Sequence, residues 1–109
     1  MNENTLQQLY DTVVSRREAK AEGSYTSYLF DKGLDKILKK CGEESSEVLI
    51  AAKNGDHEET ISELSDLLYH LAVLMVNQGI TPEEINAELA RRSEKTGNLK
   101  TFHIVDKNS

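Results

Sequence analysis

Residues 34–78 decide the fold, because two long segments with a helical apolar pattern flank a single tight turn. They read LDKILKKCGEESSEVLIAAK, then NGD, then HEETISELSDLLYHLAVLMVNQ. Apolar and small residues recur at helical spacing along the first segment: Leu34, Ile37, Leu38, Cys41, Ser45, Val48 and Ala52. That spacing places them on one face, so a long amphipathic helix is predicted from about Leu34 to Lys53.

The turn between the two segments carries strong local signals. Asn54-Gly55 supplies a left-handed stop for the first helix. Asp56 followed by Glu59 is the pattern of a capping box, which opens a second helix running to about Gln78. A connection this short favours an antiparallel helical hairpin.

The second helix of the hairpin is apolar on more than one side. One seam recurs every three or four residues: Ile61, Leu64, Leu68, Leu71 and Met75. Leu67, Val73 and Leu74 lie off that seam. A helix with apolar residues on several sides is expected to be buried from several directions.

A further amphipathic helix is predicted before the hairpin. Its apolar stripe consists of Leu6, Leu9, Tyr10, Val13 and Val14. The helix runs to about Ala21, and Gly23 ends it. Residues 24–27 are rich in hydroxyl groups and indicate a loop, and the segment is compatible with one helical turn through Leu29 and Phe30 before Gly33.

The strongest local signal follows the hairpin. Thr81-Pro82-Glu83-Glu84 combines an N-cap, a proline at the first helical position and a glutamate at the third, which predicts a last helix to about Lys95. The fold class is therefore all-α, with four to five helices around a central long antiparallel hairpin. We expect one domain over residues 1–97, and a C-terminal tail over residues 98–109 without clear periodicity.

The composition narrows the class of protein. The 109 residues include 13 basic and 19 acidic ones, a net charge of −6, so nucleic acid is an unfavourable partner. The lone Cys41 excludes an internal disulfide, and no apolar run is long enough to span a bilayer, so a soluble cytoplasmic protein is expected. A helical chain of this size often completes its core by association, which favours a homo-oligomer.

Two pairs of acids suggest a metal site. Glu44 and Glu47 share a face of the first hairpin helix, and Glu63 and Asp66 share a face of the second, each pair at i, i+3 spacing. Residues 44 and 66 are about equally far from Gly55, so the hairpin brings the pairs together. Four converging carboxylates call for a cation, and oxygen ligands favour Mg²⁺, with Mn²⁺ as a substitute. Such a metal suits an anionic phosphate substrate.

Other interpretations of the same residues stay open from the pattern alone. Glu-x-x-Glu pairs are common on solvated helix surfaces, so the acids are compatible with an ordinary polar face. Lys36 and Lys40 are candidates for phosphate contact, although Lys40 is also placed to pair with Glu44. Tyr25 and Tyr28 are compatible with stacking on a base or with simple packing, and His70 is interpreted as a core histidine rather than a ligand.

The stretch SYTSYLFDKGLDKILKKCGEESSEVLIAAK over residues 24–53, followed by ELSDLLYHL over residues 63–71, resembles the phosphoribosyl-ATP pyrophosphohydrolase family of histidine biosynthesis. That family is part of the wider MazG-like group of all-α nucleotide pyrophosphohydrolases. The resemblance implies Mg²⁺-dependent hydrolysis of phosphoribosyl-ATP to phosphoribosyl-AMP and pyrophosphate. It also implies a MazG-like bundle completed by dimerisation, with sites near the subunit interface.

The resemblance assigns expected roles to individual residues. Metal ligands are expected at Glu44, Glu47, Glu63 and Asp66, acid or base roles at Glu43 and Glu47, phosphate contacts at Lys36 and Lys40, and ribose or base contacts at Tyr25 and Thr26. The chain departs from the family pattern after Arg91-Arg92, because residues 95–100 lead into an apolar tail where the family continues with a Ser-Gly motif and a short basic helix. A separate cyclohydrolase is expected for the next pathway step.

Two alternative functions remain open from the sequence. A MazG-like house-cleaning enzyme would use the same acids on free nucleoside triphosphates, and it would differ in what surrounds the base and the second ribose. A non-catalytic helical dimer would use the acids only to solvate its surface, and would take up no metal.

Overall fold

The computed structural model describes residues 5–94, which form five helices and contain no strand. The helices are α1 (Thr5–Ala19), α2 (Tyr25–Lys32), α3 (Leu34–Lys53), α4 (His57–Gln78) and α5 (Pro82–Ser93). The predicted all-α class and the helix count are confirmed. The predicted tail over residues 98–109 lies outside the described residues.

The hairpin of α3 and α4 is antiparallel and has the register predicted from the turn. The Cys41 thiol donates to the backbone carbonyl of His70 over 3.5 Å, and the Glu44 and Asp66 carboxylates lie side by side. Both pairs are centred on Gly55, which takes the left-handed conformation with φ 71°. The turn therefore sets which residues of α3 face which residues of α4.

The caps that open α4 and α5 differ in completeness. The Asp56 side chain accepts from the Glu59 amide at 3.0 Å, but the Asp56 amide donates to the Ala51 carbonyl instead of to Glu59. Only half of that predicted capping box forms. Thr81 and Glu84 form the reciprocal pair in full, as predicted for α5.

The segment before the hairpin differs from its prediction. Residues 25–32 form a two-turn helix rather than a loop, because the Ser24 hydroxyl accepts from the Ser27 amide at 3.2 Å and acts as an N-cap. The first helix ends at Ala19, earlier than predicted, since Lys20 already has a φ of 51°. A serine that looks like part of a loop is here the start of a helix.

The core occupies one end of the hairpin, where α1 and α2 cover α3 and α4. Its buried residues are Val13, Leu29, Ile37, Ala72, Val73 and Val76.

The expectation that α4 is buried from several directions is wrong for the single chain, because four residues of its leucine seam are 38–53% exposed: Ile61, Leu64, Leu68 and Leu71. Because these side chains are apolar and share one face of α4, the seam is an exposed apolar surface without a partner in the described chain.

Within residues 5–94, no helix combines the length and the apolar content needed to cross a membrane.

Candidate active site

Three acids from the two hairpin helices converge. Glu44 on α3 and Glu63 and Asp66 on α4 each offer a carboxylate oxygen, and these three oxygens lie within 4.8 Å of one another. Helical spacing aligns the two residues of α4, and the register of the hairpin brings Glu44 opposite them. We call this group the acid cluster.

The acid cluster holds buried carboxylate oxygens that nothing in the described chain satisfies. Glu44 is only 7% exposed, and its Oε1 atom has no hydrogen-bond donor within residues 5–94. The same is true of Oε1 of Glu63. Burying a carboxylate oxygen without a partner is costly, so a cation bound between the two helices would offset the cost at both atoms.

Two further acids flank Glu63. Together with it, Glu47 and Glu59 line a small cavity of about 170 Å³ near the hairpin turn. The carboxylates of Glu59 and then Glu47, with some burial, raise the pKa of Glu63 to about 8. Glu59 was predicted only as part of the helix cap and not as a residue of the site, although its position one helical turn before Glu63 is a usable signal.

The donor set fits a hard divalent cation. All groups that converge are carboxylates, and Cys41 points to a backbone carbonyl instead of to the cluster. Carboxylate oxygens are the ligands that Mg²⁺ and Mn²⁺ favour. The buried oxygen of Glu44 gives an independent reason for a positive charge at this place.

A lysine borders the cluster on α3. The Lys40 ammonium lies 3.1 Å from Glu43 and 3.8 Å from Glu44. Its hydrogen bond to Glu43 lowers the pKa of Glu43 and raises the pKa of Lys40. The structure thus places Glu43 beside Lys40 rather than in the acid cluster, and its role as an acid or base stays a prediction.

Tyr25 connects α2 to the cluster through His70. The His70 Nδ1 atom donates to the Asp66 carbonyl at 2.8 Å, so in the neutral ring Nε2 accepts from the Tyr25 hydroxyl at 2.9 Å. Burial raises the pKa of the Tyr25 phenol, which keeps that hydroxyl protonated. His70 is 5% exposed and fully hydrogen bonded, in agreement with its interpretation as a core histidine.

The other residues expected to contact substrate differ in accessibility. Thr26 is buried, and its hydroxyl is hydrogen bonded to Tyr69. Lys36 is partly exposed, with its ammonium 5.8 Å from the ring centroid of Tyr28. Lys36 is therefore free to approach a ligand, whereas Thr26 supports the site from beneath its surface.

Comparison with known proteins identifies the family. The sequence profile of the phosphoribosyl-ATP pyrophosphohydrolase family matches residues 6–93. This chain belongs to that family. It is similar to the phosphoribosyl-ATP pyrophosphatase of Clostridium botulinum, with 55% identity over 89% of this chain and 88% of that protein. The enzyme of the same name from Streptococcus thermophilus is 53% identical over 86% of this chain and 90% of that protein.

Membership in the phosphoribosyl-ATP pyrophosphohydrolase family confirms the resemblance drawn from residues 24–53 and 63–71. The profile also covers α1 and α5, which carried no part of that resemblance. The chain therefore matches the family over all five helices. The acids of the cluster lie within the matched region.

The pKa of Glu63 predicts how the metal-free protein responds to pH. In the unfolded chain the Glu63 carboxyl loses its proton near 4.5, while in the folded chain it keeps the proton to about 8. The contribution of Glu63 to the free energy of unfolding is therefore present in full below pH 4.5. It is lost progressively as the pH rises to about 8. In EDTA, we expect the melting temperature to fall across this window, and Glu63→Gln to flatten the decline.

Glu58→Gln is the matched control, since Glu58 is an exposed acid in the first turn of the same helix. It should keep the decline seen in the wild type. An equal slope in wild type and Glu63→Gln would contradict the proposed proton on Glu63.

Proposed function

We propose that this chain catalyses the Mg²⁺-dependent hydrolysis of phosphoribosyl-ATP to phosphoribosyl-AMP and pyrophosphate. Family membership supports the substrate, because the similar proteins carry the name phosphoribosyl-ATP pyrophosphatase. The buried, unpartnered oxygen of Glu44 in the acid cluster is the observation that carries the metal dependence.

The metal ligands would be Glu44, Glu63 and Asp66 of the acid cluster. Glu47 is exposed and lies at the solvent edge of this cluster. When bound, Mg²⁺ supplies neutralising charge to the acids and polarises the polyphosphate. The chain's own contribution is to fix the carboxylates on two packed helices, so that little rearrangement is needed on binding.

The reaction cleaves a phosphoric anhydride bond and consumes one water. The water's oxygen joins one phosphorus, the bridging oxygen leaves with the other, and a carboxylate must take the water's proton. Glu47 is the proposed base, because it is exposed to solvent and lies beside Glu63. The Lys40 ammonium forms ion pairs with Glu43 and Glu44, and it could instead bind a phosphate oxygen of the substrate. Lys36 lies one helical turn before Lys40 and is the second candidate for phosphate contact.

The same proposal includes a homodimer. The exposed leucine seam of α4 is an apolar stripe along the hairpin that carries the acid cluster. Pairing two such stripes across a twofold axis would bury both, and it would place the sites close to the interface.

Turnover of a substrate panel tests the function. With Mg²⁺ present, we expect hydrolysis of phosphoribosyl-ATP, with release of pyrophosphate, at a kcat/KM at least about a hundredfold above that for ATP and other free nucleoside triphosphates. EDTA should abolish it, and Mn²⁺ should restore part of it. Preferential cleavage of free triphosphates would favour the house-cleaning alternative. Absence of turnover together with absence of Mg²⁺ uptake would favour the scaffold.

A further inference from the structure

A cleft of about 630 Å³ lies between the end of α1, the connection to α2 and α2 itself. It is separate from the small acidic cavity at the hairpin turn. Its volume is in the range of clefts that hold a nucleotide-sized molecule. Its lining includes two basic side chains, two acidic ones, two hydroxyl groups of serine and two tyrosines: Arg17, Lys20, Glu22, Asp31, Ser24, Ser27, Tyr25 and Tyr28.

Two tyrosines form the wall of the cleft that faces the rest of the site. The rings of Tyr25 and Tyr28 are stacked, with centroids 6.0 Å apart and planes 24° from parallel. They stay 44% and 40% exposed, so part of this aromatic pair is open to solvent. Such a surface suits stacking with a purine base.

Two cations lie on the α1 side of the cleft. The Arg17 guanidinium is held 5.5 Å from the ring centroid of Phe30 and 3.1 Å from Glu18. Lys20 lines the cleft from a left-handed backbone conformation, with φ 51°, that disfavours side chains other than Gly, Asn or Asp. Lys20 directly follows the last residue of α1, so its side chain lies at the mouth of the cleft where the helix ends.

The cleft is connected to the acid cluster through two side chains, those of Tyr25 and His70. Tyr25 lines the cleft, and its hydroxyl bonds to His70, which in turn bonds to the backbone of Asp66. A ligand whose polyphosphate lies at the cluster can therefore extend past Tyr25 into the cleft. The part of the ligand that lies beyond its triphosphate would then bind in the cleft.

We propose that this cleft binds the phosphoribosyl-adenine end of the substrate and gives the enzyme its preference over plain ATP. The tyrosine pair stacks on the adenine, and Arg17 and Lys20 hold the phosphate of the second ribose. Glu22 accepts hydrogen bonds from ribose hydroxyls, so the mixed charge of the lining matches a phosphorylated sugar better than a bare anion. The proposal rests on the proposed function for the identity of that substrate.

Calorimetry with phosphoribosyl-AMP and with AMP tests this assignment, because the two ligands differ only by the phosphoribosyl group. In the presence of Mg²⁺, wild type should bind phosphoribosyl-AMP at least about tenfold more tightly than AMP. Arg17→Gln should remove most of that difference and leave AMP affinity within about twofold. Arg16→Gln is the matched control, since Arg16 is exposed one residue away and does not line the cleft.

A second variant, Lys20→Gly, should raise the thermal stability of the protein while weakening its binding of phosphoribosyl-AMP. Glycine relieves the left-handed backbone, so the melting temperature should rise by about 2–5 °C. The same variant should weaken phosphoribosyl-AMP binding by at least about threefold. A rise in melting temperature with unchanged affinity would overturn the role of Lys20, because a purely structural position would behave that way.

The outcomes separate this proposal from the proposed function. Equal affinities of wild type for the two ligands, or an unchanged affinity ratio in Arg17→Gln, overturn the cleft assignment even when phosphoribosyl-ATP is hydrolysed. If phosphoribosyl-ATP is not hydrolysed, the proposed reaction fails, yet an Arg17-dependent preference for phosphoribosyl-AMP still supports the cleft.

Discussion

Glu44→Gln is expected to lower kcat for phosphoribosyl-ATP by at least about a hundredfold, while raising the melting temperature of the metal-free protein. The amide keeps the shape of the side chain but removes the charge that a cation needs. In EDTA, the variant no longer buries a carboxylate oxygen without a donor, a cost of about 1–3 kcal/mol in the wild type. Its amide can also donate to Glu63 or Asp66, whose oxygens lie within 4.8 Å.

Three measurements check this prediction: steady-state kinetics, calorimetric Mg²⁺ uptake and thermal melting in EDTA. Uptake should weaken together with kcat, because both depend on the same carboxylate. Glu58→Gln should leave all three near wild type, since Glu58 is exposed and is not one of the three acids that converge. A Glu44→Gln variant that keeps wild-type kcat and Mg²⁺ affinity would remove Glu44 from the metal site.

The register of the hairpin was predictable because it depends on local chemistry. Gly55 fixes the turn, and counting outward from it places Glu44 against Asp66. Helical periodicity then fixes which face each acid occupies. The convergence of Glu44, Glu63 and Asp66 therefore follows from spacing alone, whereas the substrate came from resemblance and not from physical reasoning.

Features that depend on packing between distant segments were not predictable. The direction of the leucine seam is one, because periodicity shows that Leu64 and Leu68 share a face but not which face α1 and α2 cover. The cleft beside Tyr25 is another, since it requires the angle between α1 and α2. The helix α2 itself depends on one hydroxyl, that of Ser24, which the composition of the segment concealed.

The location of the core connects the site to the proposed dimer. Buried residues gather where α1 and α2 cover the hairpin, while Leu49, Ile50 and Ile61 near the turn are 53–69% exposed. The acids Glu47 and Glu63 lie along this uncovered half. A second chain packed there would exclude water beside the carboxylates and strengthen their hold on a cation. Catalysis and association are therefore expected to depend on the same helices.

Leu68→Glu is expected to convert the proposed dimer to a monomer. Leu68 lies in the middle of the α4 seam and is 50% exposed, so a single chain tolerates the glutamate. In the dimer the same charge would be buried against a partner's apolar seam, which should raise the dissociation constant at least about a thousandfold. Sedimentation equilibrium measures that constant, and thermal melting verifies that the monomer is folded.

Leu89→Glu on α5 is the matched control, because Leu89 is 58% exposed but lies outside the hairpin seam. It should leave the dissociation constant unchanged. If the partner chain shields the acids, Leu68→Glu should also lose activity, and part of that activity should return at high protein concentration as dimers reform. A monomeric wild type with full activity would refute the dimer and show that each acid cluster works within a single chain.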